Sequence, residues 1–116
     1  MEDSILTSVK KMLGIAEDYD HFDQDIITFI NNALMNLTQI GVGVTDGLVI
    51  TDETSKWNEF VLEKRRLGSI QSYVYMKVRL AFDPPQSSFT VESMKGLISE
   101  MEWRLNADAE ASGKGV

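Results

Sequence analysis

The 116-residue chain has no cysteine, two prolines and one histidine. Without thiols there is no disulfide scaffold, no thiolate zinc site and no cysteine nucleophile, which suits a protein made and used in a reducing cell. Long apolar runs are missing too: none approaches the ~18 residues that a bilayer span needs. The opening Met1-Glu2-Asp3-Ser4 shows neither the basic nor the apolar region of a secretory leader. Cations are scarce, since 11 Lys and Arg against 18 Asp and Glu leave a net charge of −7. Gripping nucleic acid takes clustered cations that release counterions from phosphates, so conventional nucleic-acid binding is disfavoured.

What remains is ordinary globular material. Hydrophobic residues make up 43% and charged residues 25%, close to normal usage. A chain of this size buries roughly two-thirds of its unfolded surface, enough for one domain with a core of its own. No internal repeat occurs, which excludes a solenoid.

The periodicity is helical throughout. Ile5, Leu6, Val9, Met12 and Leu13 form one stripe over residues 2–13, with Gly14 as its stop. An acidic stretch, Glu17 to Asp25, precedes a stronger pattern in which Phe22, Ile26, Ile30, Ala33, Leu37 and Ile40 share a face. Asp20 is the expected N-cap there, with Asp23 and Asp25 facing the positive end of the dipole. Gly41 ends the helix.

From 41 to 54 the composition turns to Gly, Val, Thr and Asp around Leu48-Val49-Ile50. Two readings stand: a small hairpin or edge strand open to a neighbouring chain, or a surface loop docking three apolar residues on the helices. Thr54 or Ser55 can cap a short helix through Trp57 and Leu62. The next helix starts near Gly68 and stops at Asp83-Pro84-Pro85. A last one begins at Ser87 or Ser88, with Val91, Met94, Ile98, Met101 and Leu105 on a heptad seam and Leu97 and Trp103 off it. The expected fold is all-α: a small antiparallel bundle of four to five helices with one irregular loop at 41–54, a helical domain over 1–107 and a flexible tail over 108–116.

Chemistry is sparse. His21 stands among Glu17, Asp18, Asp20, Asp23 and Asp25, but the spacing matches neither a calcium loop nor a zinc helix; helix-start electrostatics account for the same residues. There is no nucleophile elbow, phosphate loop or dinucleotide fingerprint, so no catalytic, cofactor-binding or metal-ligating residue is assigned. Lys64-Arg65-Arg66, with Lys77 and Arg79, is the main cationic cluster. It reads better as a solvated helix start balanced by Glu59 and Glu63 than as a docking patch. The apolar excess carries more. Aromatics and Met are enriched in interface cores, and the interface candidates are Leu48, Val49, Ile50, Trp57, Tyr73, Tyr75, Phe82 and Trp103.

Several segments, in order, carry a resemblance: Met12-Leu13-Gly14-Ile15, Tyr19 to Phe22, Asp25-Ile26-Ile27, Ile30-Asn31, Gly41-Val42-Gly43 and Trp57. The most specific is Tyr73-Val74-Tyr75-Met76-Lys77-Val78-Arg79-Leu80-Ala81-Phe82-Asp83-Pro84-Pro85, followed by Glu102-Trp103-Arg104-Leu105-Asn106. Over roughly residues 10–107 the chain resembles the small head–tail connector (adaptor) proteins of long-tailed phages and prophages of Gram-positive bacteria. The resemblance implies a helical subunit without catalysis or cofactor. Such subunits form a ring, dodecameric in the virion, beneath the portal protein; the ring extends the DNA channel and receives the next head-completion or tail protein. It further implies synthesis in the host cytoplasm, no membrane partner, and DNA passage without sequence-specific binding. Two competing readings are a small acidic regulator that binds protein or mimics DNA and, weaker, a metal-dependent enzyme built on His21.

Overall fold

Ser4 starts the first helix. In the computed structural model, which describes residues 2–111, Ser4 is extended and its Oγ accepts the Thr7 N–H at 3.2 Å, satisfying one of the orphan donors of a helix start. Helix α1, Ile5–Met12, buries Ile5, Leu6 and Val9. Gly14 follows at φ +81°, a conformation that ends the helix at little cost. Lys10 is also buried. Its ammonium lies 2.8 Å from Asp23 Oδ1 and donates to the Glu17 carbonyl at 3.0 Å, so the acidic stretch is partly spent on pinning the link between the first two helices.

Helix α2 spans Asp23–Gln39, and its N-cap is Phe22 rather than Asp20. The Phe22 ring packs edge-on against His21 at 4.8 Å and Phe82 at 5.2 Å between centroids. Aromatic packing of this kind is worth about as much as a side-chain cap and here fixes where the chain enters the helix. Ile26, Ile27, Ile30, Ala33, Leu34 and Leu37 are all buried, a stripe wide enough to serve more than one neighbour. Past Gln39, Gly41 at φ +87° lets the Val42 N–H return to the Leu37 carbonyl at 2.9 Å.

The irregular segment settles as a docked loop. Among the described residues there is no hairpin, only one isolated antiparallel bridge between Ser4 and Lys56. The reason lies in Asn31, whose side-chain amide donates to the Ile50 carbonyl at 3.0 Å and accepts the Ile50 N–H at 2.8 Å. One side chain thus takes the place of a partner strand, while Val42 and Ile50 enter the core. The short helix expected through Trp57 and Leu62 contracts to a 3₁₀ turn, Trp57–Glu59, because the chain just before it is held extended: Ile5 N–H bonds Ser55 O at 3.0 Å and Trp57 N–H bonds Asp3 O at 3.1 Å.

A second 3₁₀ turn, Lys64–Arg66, leads into helix α3, Leu67–Phe82, and helix α4 runs Ser88–Ala111. Tyr73 bonds Glu102 and Arg66 pairs with Asp108, so α3 and α4 are antiparallel across the Pro84-Pro85 joint. Helices α2 and α3 make the most extensive pairing, α1 lies on both, and α4 packs on α3. The result is flat, 40 × 35 × 20 Å. Helix α4 also corrects one expectation: residues 108–111 are helical, with Ala109 buried, so the tail does not begin at 108. Residues 112–116, the rest of that expected tail, lie outside the described residues.

Candidate docking surfaces

The seam expected on α4 is real but one-sided. Ile98 and Leu105 are buried on it, and Val91, Met94 and Met101 are half-buried. No residue from Ser88 to Leu97 is buried, so the first turns of α4 gain little from the bundle. On the opposite side Phe89 is 80% exposed and Trp103 72% exposed. They are separated by 14 positions (103 − 89), with Gly96 midway; heptad steps drift only ~20° round a helix, so the three share one outward stripe.

Beside α4 an open cleft of about 740 Å³ separates it from α2 and α3, with Phe29, Asn32, Lys77, Leu80, Lys95 and Ile98 on its walls. Glu102 also lines it and accepts the Tyr73 hydroxyl at 2.6 Å. Burial first, then this bond to a carboxylate, raises the Tyr73 phenol well above its usual range. The group therefore stays a neutral donor that ties α3 to α4.

The eight interface candidates separate cleanly. Ile50, Trp57 and Tyr73 are core residues with no surface to offer a partner. Leu48, Tyr75 and Phe82 are half-buried; Val49 and Trp103 project into solvent. Phe89 and Leu97 are equally available for docking but are not among the eight. The signal for them was the apolar residues of α4 that fall off its seam.

The cationic cluster is a solvated helix start only in part: Lys64 and Arg65 are exposed, while Arg66 departs from that reading. Arg66 is 4% exposed and its Nε lies 2.9 Å from Asp108 Oδ2. Arg65 bonds Glu63 at 2.8 Å, the main cause of its raised pKa. These arginines clamp the end of α4 to the start of α3. Around His21, no group of three or more His, Asp or Glu side chains is close enough to hold a metal among the described residues. The imidazole instead packs at a tilt against Tyr19 and edge-on against Phe22. No described helix is long and apolar enough to cross a membrane.

Among the described residues, this small all-α domain leaves Phe89 and Trp103 largely outside its core. A family model described as phage connector protein matches residues 5–112; the chain belongs to that family. Its role is therefore structural, at the connection of phage head and tail. Neither a curated protein nor a solved structure matches the chain. The family match ends one residue past the described part of α4, so the whole bundle is the family's unit.

Proposed function

We propose that this chain is a ring-forming subunit of the head–tail connector, seated beneath the portal protein, which prolongs the DNA channel and presents a platform to the next head-completion or tail protein. In the virion the ring has the portal's own multiplicity, twelve in the resemblance that the sequence carries. The observation that carries this reading is the family match over nearly the whole chain, joined to a helix that carries exposed Phe89 and Trp103 on its outward face. A ring subunit makes head-to-tail contacts and needs two different adhesive faces.

The charge suits a conduit. A net −7 repels phosphates, so DNA slides past such a wall rather than being held. The regulatory reading loses ground on the same charges: acids are interleaved with cations in pairs such as Lys10–Asp23, Arg66–Asp108 and Arg104–Glu100, not strung along one face as phosphates are. Val49, exposed at the tip of the clamped loop, is a second proposed contact, toward the portal or a neighbouring subunit. The residues past Ala111 are a third.

Co-sedimentation of the purified chain with portal particles from the same phage tests the reading. Binding in a fixed ratio to portal, with no retention of duplex DNA at physiological salt, is expected. A chain that ignores portal, or that turns over a substrate, overturns it.

A further inference from the structure

The geometry points to the contact that joins one copy of this chain to the next: the outward stripe of α4, centred on Trp103, seats in the cleft between α2, α3 and α4 of a second copy. The proposal rests on the connector reading for the closure of a ring, though not for the contact itself.

Three observations support a second copy as the occupant. The first is area. Phe89 and Trp103, at the two ends of the stripe, leave on the order of 300 Å² of apolar surface in water, given ~150–250 Å² per aromatic side chain, somewhat under half of the ~800 Å² that one partner contributes to a stable interface. The second is shape. The cleft, open to solvent, holds about 740 Å³ between walls from three helices, room for the Trp103 indole, and Trp is enriched among the residues that anchor interfaces. Gly96 lies between the two aromatics, and a Cβ built there meets nothing within 4 Å. A side chain is therefore accommodated at the centre of the stripe without a clash inside the chain. The third is charge. Lys77 and Lys95 flank the cleft against the single Glu102, and Lys77 has no ion-pair partner among the described residues. The stripe is bordered by Glu92 and Glu100, whose exposed pairs with Lys95 at 3.5 Å and Arg104 at 2.6 Å of their own chain would be exchanged for the neighbouring copy's lysines.

The arrangement also decides the symmetry. At 100° per residue, the cleft residues of α4 and its stripe lie roughly a third of a turn apart. Both are therefore free at once, and a copy that fills its neighbour's cleft leaves its own open to a third. Such a contact is heterologous and ends only when it closes on itself.

Absence of cysteine makes the test clean. Gly96→Cys is placed on the stripe and Asn32→Cys on the cleft wall, both exposed, and the two variants are mixed with a short bismaleimide. The mixture is run at high protein concentration and again on portal particles. Mixed Asn32–Gly96 cross-links should dominate, and adding Trp103→Ala to the Gly96→Cys chain should cut their yield at least tenfold. Its helical circular dichroism should be unchanged, because Trp103 is largely in solvent. Dominant Gly96–Gly96 cross-links would mean stripe against stripe and overturn the proposal. Absence of cross-links while the chain still rings the portal overturns it and leaves the connector reading standing. Absence of both removes the two together.

Discussion

Gly43 is the position where one added methyl group should cost the most. Its φ is +87°, and a Cβ there would fall 2.6 Å from both Cε atoms of Phe60, a ring that is itself fully buried. Two costs follow. A non-glycine residue in the left-handed region costs ~1–2 kcal/mol, and forcing a packed aromatic aside costs ~1–3 kcal/mol more. Gly43→Ala should therefore lose about 2–5 kcal/mol. The chain contains its own controls. Gly14 has nearly the same φ, +81°, with nothing within 4 Å of a Cβ, and Gly47 at +77° has the Thr38 hydroxyl at 3.3 Å. Urea unfolding of the three alanine variants should rank Gly43 well above Gly47, with Gly14 close to the backbone cost alone, ~1–2 kcal/mol. Equal losses at Gly43 and Gly14 would show that the ring of Phe60 does not abut the loop, and would refute the packing on which the 41–54 segment rests.

Asn31→Ala strips Ile50 of both backbone partners and should cost roughly 2–4 kcal/mol; limited proteolysis within 41–54 should accelerate correspondingly. Asp108→Asn removes the closer charge partner of the buried Arg66 and leaves only Glu63, 3.6 Å away. Because Asp108 is 39% exposed, the loss should be about half that of a fully buried pair, ~1.5–2.5 kcal/mol, read as a lower urea midpoint. Tyr73→Phe should cost ~1–2 kcal/mol at neutral pH. Its pH dependence carries the sign of a pKa raised on folding: the stability that the phenol provides is complete below the unfolded value near ~10 and is lost as pH climbs above it. The wild type should thus weaken faster than the Phe variant above pH ~10, by up to ~1.4 kcal/mol per pH unit, and parallel curves would contradict the buried Tyr73–Glu102 bond.

Helix positions were legible because each helix carries its own stripe and stop. Ile26 to Leu37 alternate at helical spacing, and Gly14, Gly41 and Pro84-Pro85 mark ends through backbone geometry, which is local. What failed was long-range. Nothing near Ile50 tells that Asn31, 19 positions earlier, will supply both of its backbone bonds and so convert a would-be strand into a clamped loop. Nothing near Arg66 tells that Asp108 will neutralise it and draw the end of α4 into the fold. The same limit applies to the docking residues. Trp57 and Trp103 are equally apolar in composition, yet one is core and the other solvent. Only Trp103's departure from a heptad seam hinted at its side. Family kinship was readable from the Tyr73–Pro85 run, which in the fold is the α3 segment that ends at the α3–α4 joint.

Electron microscopy of portal particles incubated with the purified chain bears most directly on whether this molecule is a connector subunit. A closed annulus of additional density at one pole of the portal, coaxial with its channel and lost in the Trp103→Ala variant, is the expected image. Bare portals at saturating chain concentration, with the chain sedimenting apart as a folded monomer, would contradict the account.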